Sequence, residues 1–278
     1  MLVTPFASLA SHRIRNLALA VAPYIAGMPG ARSPNPRHLS QPIPSPSPPH
    51  IAIPAAHFAH PHLLHSLVVP LAILAVVVAA YLLGSIPTGF LLYRLFRRQD
   101  IRALGSGNIG ATNVLRHGGK GLGIVTFILD ALKGCASVWL GGLLGALLMP
   151  TAAPHTAQAI AALSAVLGHM FTCWLHFRGG KGVATGFGVF LVAAPWAALA
   201  AISLFALVCV ITRYVSLASI VGTASFPLFA WFLTVTPPPP ILFAVECAVA
   251  LLIIVRHYQN IARLLTGTES RIGAHKPA

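Results

Sequence analysis

Residues 66–93 read SLVVPLAILAVVVAAYLLGSIPTGFLLY and contain no charged side chain. An α-helix needs about 20 apolar residues to cross a bilayer, so this stretch is long enough to span it. The whole chain has the same character: of its 278 residues, 56% are hydrophobic and 8% are charged. A soluble domain carries roughly 25% charged residues. The composition therefore predicts an integral membrane protein, and residues 84–89 (GSIPTG) predict an interruption of its first span.

Further apolar runs follow at 123–148, 157–177, 183–196, 197–212, 215–236 and 241–256. Two of them are short for a bilayer, so residues 183–212 could also form one long helix. Lys and Arg are concentrated in loops 94–122 and 178–182 and in the C-terminal tail, and the positive-inside rule places such segments in the cytoplasm. If residues 183–212 form one span, the C-terminal tail lies outside. If they form two spans, broken near Ala194-Pro195-Trp196, both basic loops and the tail lie in the cytoplasm, so two spans are predicted.

The predicted fold is therefore an all-α integral membrane protein with about seven transmembrane helices, its N-terminus outside and its C-terminus cytoplasmic. Strands exposed to lipid would have to close into a barrel, and the alternation typical of a barrel is not visible in the sequence. This topology brings the polar, glycine-containing stretches 100–122, 178–188 and 257–273 to one face of the membrane. We expect them to converge on a single site.

Residues 1–65 differ from the rest of the chain. Pro, Ser and His are dense between residues 33 and 61, a composition that cannot build a packed core. The apolar residues 17–26 are too short to span, although basic residues ahead of them keep a targeting segment open as an alternative. We expect a dispensable extension or a start codon placed too far upstream, followed by a membrane domain at 66–273 and a tail at 274–278.

The formal net charge of +14 indicates an anionic partner. Nucleic acid is not expected, because the chain contains no recognisable nucleic-acid-binding module. An anionic small molecule or membrane lipid fits the loop positions of the basic residues better. The cysteines all lie in apolar segments without metal-ligand spacing, so they are interpreted as packing residues, and neither a metal nor a cofactor is expected: Cys135, Cys173, Cys209 and Cys247.

The first polar stretch, residues 100–116, reads DIRALGSGNIGATNVLR. Its glycines let backbone N–H groups approach an anion, and short side chains supply further donors. The guanidinium of Arg116 matches phosphate geometry. The alternative is a surface turn followed by a helix, with Ser106 or Asn108 as its N-cap.

The second stretch, residues 178–186, reads RGGKGVATG. It is not a nucleotide P-loop, because Gly182 stands where that motif needs Ser or Thr after the lysine. A glycine turn that opens a helix beside Lys181 still suits a phosphate. A basic turn between two helices, without a ligand, is the alternative.

The third stretch, residues 257–269, reads HYQNIARLLTGTE. His257, Asn260 and Arg263 share one face of a helix at this spacing. A histidine at a helix end is often a dipole partner, and it can also act as a base.

Asp130, Lys133 and Glu246 lie within predicted spans. Asp130 and Lys133 are three positions apart on one helix, and we expect them to form an ion pair that lowers the cost of placing each charge in the membrane. Glu246 has no partner in its own span. It is interpreted as a contact to another helix, with proton coupling as the alternative.

Together these stretches resemble the PlsY-type acyl-phosphate:glycerol-3-phosphate acyltransferases of bacteria over about residues 66–273. The motifs occur in order and with family-like spacing: GSIPTG (84–89), LGSGNIGATNVLR (104–116), D-x-x-K-G (130–134), GH…FRGGKGVAT (168–185) and H-x-x-N-x-x-R-L-x-x-GTE (257–269). One departure is Thr172, which stands where members of the family usually have proline after GHxF. It puts the helix geometry before the second stretch in question.

The resemblance implies an enzyme of the bacterial cytoplasmic (inner) membrane, with seven helices, an active site facing the cytoplasm and no cofactor. It implies transfer of a fatty acyl group from acyl phosphate to the 1-hydroxyl of glycerol 3-phosphate. The products would be lysophosphatidic acid and phosphate, in the first step of phospholipid synthesis. Functional coupling to an enzyme that forms acyl phosphate is also expected.

The resemblance further implies residue roles. Ser106, Arg116, His257 and Asn260 match active-site residues. A second set matches substrate-binding positions: Asn108, Thr112, Asn113, Gly179, Gly180, Lys181 and Gly182. Glu269 matches a structural glutamate, beside the expected structural pair of Asp130 and Lys133.

Two other functions remain open on the sequence. A transporter of an organic phosphate would also have basic cytoplasmic loops, although the internal helix repeat typical of transporters is not visible. A membrane protein that binds lipid without catalysis is the other alternative.

Overall fold

The computed structural model describes residues 61–149, 155–234 and 236–273. The predicted extension falls almost wholly outside this part of the chain, and the predicted tail falls entirely outside it. All regular secondary structure in the described residues is helical, which confirms the all-α prediction. In chain order the helices are α1 Pro61–Ser85, α2 Thr88–Arg97, α3 Ala111–Gly118, α4 Lys120–Leu148, α5 Thr156–Met170, α6 Val183–Ala193, α7 Pro195–Thr212, α8 Val215–Leu233, α9 Pro240–Val255 and α10 Tyr258–Leu265.

Several segments are long and apolar enough to cross a membrane: Val68–Arg97, Lys120–Leu148, Thr156–Leu175, Pro195–Thr212 and Val215–Leu233. Helices α9 and α10 add a sixth if the pair, bent by 54°, is one span. Helix α6 is apolar but only 11 residues long. Within the described residues the structure therefore provides five or six spans by length, and the predicted count of seven stays a prediction.

Both predicted helix breaks are confirmed. Helix α6 ends at Ala193 and α7 begins at Pro195, because proline lacks the N–H that would continue the helix. The first span breaks between Ser85 and Thr88. Carbonyl groups freed at such a break need partners in an apolar environment.

Side chains from two other elements supply those partners. The Thr172 hydroxyl donates to the Ser85 carbonyl at 2.6 Å, and the Lys133 ammonium donates to the Ile86 carbonyl at 2.7 Å. A proline at position 172 would have no hydroxyl to donate. The departure from the family pattern at Thr172 therefore contributes a hydrogen bond to the end of α1.

The predicted ion pair within α4 is also confirmed. Lys133 Nζ lies 2.7 Å from Asp130 Oδ1, and both side chains are buried. Thr88 donates to the same carboxylate oxygen at 2.5 Å. Glu246 of α9 is buried, and neither of its carboxylate oxygens has a hydrogen-bond partner among the described residues. The structure thus supports the interpretation of the Asp130 pair, whereas the interpretation of Glu246 as a contact to another helix, with proton coupling as the alternative, stays a prediction.

Glycines set the spacing of the helices that carry the polar turn at 178–182. A Cβ atom on Gly134 of α4 would lie 2.3 Å from the Thr185 carbonyl oxygen, and one on Gly188 of α6 would lie 1.9 Å from the Ala131 carbonyl oxygen. Small residues allow such close backbone contact between helices in a membrane. The close packing of α4 and α6 fixes where α6 begins, and therefore where the turn before it lies.

Candidate active site

The predicted polar stretches meet in one cavity, which confirms that they converge. The cavity lies between α3, the turn that precedes α6, and α10. Most of the predicted site residues line it: Ser106, Asn108, Thr112, Asn113, Arg116, Asp130, Lys181, Gly182, His257, Asn260 and Glu269. Gly179, Gly180 and Lys133 do not.

Asn113 holds the first polar loop in shape. Its amide nitrogen donates to the carbonyls of Leu104 at 3.0 Å and Asn108 at 2.9 Å, and its amide oxygen accepts from the Ser106 N–H at 3.3 Å. Only 3% of Asn113 is exposed. Its amide is therefore committed to the loop, whereas the Ser106 side chain stands at an exposed position on the cavity wall.

The N-cap of the helix that follows this loop differs from the residues that the sequence offered for it, Ser106 and Asn108. The N-cap of α3 is Gly110, so the prediction of Ser106 or Asn108 at that position is wrong. Asn108 accepts instead from the Gly110 N–H at 2.8 Å, an Asx-type turn that competes with helix capping. The turn ends the glycine loop one residue before α3 begins.

Arg116 lies near the end of α3 and is exposed. Its guanidinium donates to the carbonyl of Ser270 at 3.3 Å. This contact is long and leaves other N–H groups of the fork for a ligand. Arg116 thus places a permanent positive charge at the mouth of the cavity, beneath the chain segment that follows α10.

Two glycines of the second stretch, Gly179 and Gly180, form backbone hydrogen bonds to the end of α5. The Gly179 N–H donates to the Met170 carbonyl at 3.1 Å, and the Gly180 N–H donates to the His169 carbonyl at 3.0 Å. Both N–H groups therefore already have acceptors within the protein, and the expectation that these glycines bind substrate phosphate stays a prediction. Gly182 has a φ of 87° as the N-cap of α6, a conformation that favours glycine.

Lys181 points from this turn towards α10, where its ammonium donates to the amide oxygen of Asn260. Burial lowers the pKa of Lys181 to about 8, with Glu269 opposing the shift and nearby arginines adding to it. A lysine of this pKa still carries its positive charge at neutral pH. It provides a partly desolvated cation inside the cavity.

Glu269 organises the third stretch. One of its carboxylate oxygens accepts from Ser216 at 2.8 Å and Asn260 at 2.8 Å, and the other accepts from Arg263 Nε at 2.6 Å. Burial alone would raise the pKa of Glu269, but these hydrogen bonds hold it below its usual range. The structural role predicted for Glu269 is consistent with this network.

His257 lies at the junction of α9 and α10 and is 2% exposed. Its Nδ1 is 2.7 Å from the Ile253 carbonyl oxygen. A carbonyl only accepts, so Nδ1 carries a proton, and in the neutral ring Nε2 is then the acceptor. This is the tautomer that a general base needs when Nε2 faces the substrate.

The cavity favours an anion. Its cations are the side chains of Arg116, Lys181 and Arg263. Its carboxylates are already paired, Glu269 with Arg263 and Asp130 with Lys133. The unbalanced charges are therefore positive, as phosphate binding requires.

An apolar cavity adjoins the polar one. Residues of α6, α7 and α8 line it, including Phe187, Phe190 and Ile202. Three residues line both cavities: Val183, Phe205 and Ser219. The site thus places a polar, cationic chamber beside an apolar one.

Two side chains that touch the Lys181 turn have no role that the sequence predicts. His169 lines the cavity from the end of α5, and Arg256 donates to the Gly180 carbonyl at 3.3 Å. Both lie at helix ends, and the single sequence carries no signal for the approach of these ends to the turn.

Comparison with known proteins identifies the family. A model of the family described as glycerol-3-phosphate acyltransferase matches residues 74–267. The chain belongs to this family. A glycerol-3-phosphate acyltransferase of Syntrophotalea carbinolica is 47% identical over 196 residues, which cover 70% of this chain and 95% of that protein. A second, from Trichlorobacter lovleyi, is 46% identical over 198 residues, covering 71% and 96%.

Solved structures support the same assignment. A crystal structure of PlsY, an integral membrane glycerol 3-phosphate acyltransferase, in its glycerol 3-phosphate form superposes with a TM-score of 0.65 at 40% identity, covering 72% of this chain and 96% of that one. The lysophosphatidic acid form of PlsY gives 0.63 at 39% identity, with 72% and 95% covered. The chain is thus an acyltransferase and a multi-pass membrane protein.

Proposed function

We propose that the chain transfers a fatty acyl group from acyl phosphate to the 1-hydroxyl of glycerol 3-phosphate, giving lysophosphatidic acid and inorganic phosphate. The observation that carries the proposal is the pairing of a cationic cavity with an adjoining apolar one, within a member of the glycerol-3-phosphate acyltransferase family. Both substrates carry phosphate, and one also carries a long apolar chain.

The cationic cavity suits the two phosphate groups. Arg116 provides a planar fork and Lys181 a point charge, and both side chains line the site. Ser106 in the first loop and Thr112 at the start of α3 add hydroxyl groups to the cavity lining. A phosphate bound between these groups exchanges its hydrogen bonds to water for charge-assisted hydrogen bonds to the protein. Such bonds are stronger than those between neutral groups.

The apolar cavity suits the acyl chain. Phe187, Phe190 and Phe205 supply a surface that water solvates poorly, and each buried methylene of a chain gains about 0.8 kcal/mol. Because Phe205 and Ser219 line both cavities, a chain lying there would have its carbonyl end next to the cations. This arrangement favours a donor whose phosphate is attached directly to the acyl carbonyl.

The reaction needs alignment and charge stabilisation more than a strong nucleophile. The 1-hydroxyl oxygen forms a bond to the acyl carbon, the bond from that carbon to the phosphate oxygen breaks, and the phosphate leaves with the electron pair. The proton of the hydroxyl passes to His257 Nε2 or to a phosphate of the substrates. Arg116 and Lys181 stabilise the charge on the oxyanion and on the leaving phosphate.

The same proposal includes a topology of seven spans, with the N-terminus outside and the C-terminus and the site facing the cytoplasm of a bacterial inner membrane. Basic residues on the loops that form the cavity support this orientation. A site on that face would also suit coupling to a soluble enzyme that forms acyl phosphate. Reporter fusions at the C-terminus test the orientation: activity of a periplasm-specific reporter there would contradict it.

Acyl transfer by the purified protein tests the function. The full chain in detergent is incubated with palmitoyl phosphate and glycerol 3-phosphate, and release of phosphate and formation of lysophosphatidic acid are followed. We expect both only when both substrates are present, and none with palmitoyl-CoA as donor. Activity with the thioester alone would contradict acyl phosphate as donor. Uptake of glycerol 3-phosphate into proteoliposomes without acylation would favour the transporter instead.

A further inference from the structure

A buried histidine packs directly against the turn that carries Lys181. His169, at the end of α5, is 4% exposed. Its carbonyl accepts from the Gly180 N–H at 3.0 Å. A Cβ atom on Gly180 would lie 2.0 Å from His169 Nε2, so the ring occupies the space that any side chain at position 180 would need. The backbone one residue before Lys181 therefore rests on this ring.

The other edge of the ring faces the buried ion pair. His169 Nδ1 lies 3.5 Å from Asp130 Oδ1, too far for a well-formed hydrogen bond but close enough for attraction. Asp130 is itself held by Lys133 at 2.7 Å and by Thr88 at 2.5 Å. Three polar side chains from α2 and α4, those of Thr88, Asp130 and Lys133, thus form a network at the edge of the ring that faces away from the turn.

Lys181 has one further contact that depends on its position. Its ammonium reaches across the cavity to the amide oxygen of Asn260. A shift of the turn would move the ammonium away from this acceptor and from any phosphate between them. A displacement of about 1 Å can reduce an enzyme's rate by a hundredfold.

We propose that His169 is a positioning residue that sets the place of Lys181 in the cavity, with Asp130 as its anchor. His169 acts through the Gly180 backbone and donates no group to the substrate. The inference rests on the proposed function, in which Lys181 binds phosphate. It predicts that changes at His169 alter the contribution of Lys181, which a purely packing role would not do.

Chemical labelling of Lys181 tests the positioning without using activity. The full chain is treated with trace acetic anhydride, and acetylation at Lys181 is compared by mass spectrometry with acetylation at Lys120, which is exposed in the same chain. We expect the ratio to rise about fivefold in His169→Ala. The matched control is His155→Ala, an exposed histidine just before the same helix, and it should not change the ratio. An unchanged ratio in His169→Ala would overturn the proposal.

Steady-state kinetics of Gly180→Ala, alone and combined with His169→Ala, test the contact between Gly180 and the His169 ring. Gly180→Ala adds a methyl group against the ring, so we expect the KM for glycerol 3-phosphate to rise about tenfold while the KM for palmitoyl phosphate changes less than about twofold. In a His169→Ala background the same substitution has room, and we expect it to add less than about twofold. Equal effects of Gly180→Ala in both backgrounds would contradict the proposal.

These experiments separate the two proposals. If the wild-type protein shows no acyl transfer, the proposed function fails, and the labelling ratio still decides whether His169 positions Lys181. If His169→Ala does not fold in detergent, His169→Gln keeps the size and a donor at that position. We then expect its labelling ratio to lie between those of the wild type and the Gly180→Ala variant. A ratio for Gly180→Ala equal to that of the wild type would overturn the inference.

Discussion

The Lys181 ammonium donates a hydrogen bond to the amide oxygen of Asn260, a residue 79 positions later in the chain. The amide nitrogen of Asn260 donates in turn to Glu269 at 2.8 Å. An ammonium can only donate and a carboxylate can only accept, so these partners fix which end of the amide faces the cavity. Asn260 of the third polar stretch therefore orients the side chain of Lys181, which belongs to the second.

The first prediction concerns Lys181 itself. Removing the ammonium in Lys181→Ala takes one phosphate partner from the cavity, so we expect the KM for glycerol 3-phosphate to rise by at least about tenfold, the loss typical of one charged hydrogen bond. Steady-state rates with palmitoyl phosphate as donor measure it. The control is Lys120→Ala at an exposed position, which should keep the wild-type KM. An unchanged KM in Lys181→Ala would remove this residue from the phosphate site.

The second prediction is a pH dependence. Burial lowers the pKa of Lys181 to about 8, so its positive charge is present below pH 8 and is lost as the pH rises through that value. The phosphate of glycerol 3-phosphate has its second pKa near 6 and stays dianionic over this range. We therefore expect the KM for glycerol 3-phosphate to increase above about pH 8, by at most tenfold per pH unit. Lys181→Arg keeps its charge, and its KM should stay flat up to pH 9.5.

The third prediction concerns stability. Glu269→Gln places an amide nitrogen among donors from Ser216, Asn260 and Arg263, and we expect it to lower the free energy of unfolding by about 1–3 kcal/mol. Because the pKa of Glu269 is lowered, its contribution is complete at neutral pH and is lost as the pH falls through the lowered value. Chemical unfolding in detergent measures both effects.

A second carboxylate provides the control for Glu269. Asp100 pairs with Arg102 at 2.7 Å, but both side chains are about a third exposed. Exposed pairs contribute about 0–1 kcal/mol, so Asp100→Asn should have little effect on unfolding. Equal losses in the two variants would mean that burial of Glu269 adds nothing.

The fourth prediction concerns the ion pair in α4. Lys133→Met leaves Asp130 as an uncompensated buried charge, and we expect a loss of about 3–5 kcal/mol in the free energy of unfolding. The double variant Asp130→Asn/Lys133→Met leaves no such charge, so its loss should be smaller than that of Lys133→Met alone. Unfolding by dodecyl sulfate in mixed micelles provides the measurement, and a double variant less stable than the single one would contradict the argument.

The fifth prediction concerns the close packing of α4 and α6. Gly188→Ala would place a methyl group 1.9 Å from the Ala131 carbonyl oxygen, so the helices must separate. We expect a loss of about 1–3 kcal/mol in the free energy of unfolding. Gly121→Ala is the matched control in α4, since nothing lies within 4 Å of the added Cβ atom. It should be neutral or stabilising by up to about 1 kcal/mol.

Much of the fold was predictable because local rules decide it. Proline and glycine mark the breaks at Pro87 and Pro195, and the spacing of Asp130 and Lys133 predicts their contact. The convergence of the three polar stretches followed from placing basic loops on one side of the membrane. Each of these inferences needs only residues that are close in sequence, or the number of spans that separate two loops.

The roles of Gly179, Gly180 and His169 could not be predicted in this way. Glycine beside lysine suggests N–H groups open to phosphate, whereas the structure directs those of Gly179 and Gly180 to the last carbonyls of α5. That contact depends on how the chain between Met170 and Gly179 folds back onto the end of α5. Neither Ser106 nor Asn108 is the N-cap of α3, because the Asn108 side chain accepts from the Gly110 N–H within the loop and Asn113 donates to the Asn108 carbonyl.

Glu269 bonds to Ser216 and Asn260, and the Ser270 carbonyl accepts from Arg116. Ribosomes make proteins from the N-terminus, so Glu269 and Ser270 are made after every other residue of this network. A chain cut short before Glu269 would carry Ser106, Arg116 and Lys181 without the carboxylate that orients Asn260. Truncation before residue 269 should therefore leave Asn260 without the acceptor that orients its amide towards Lys181.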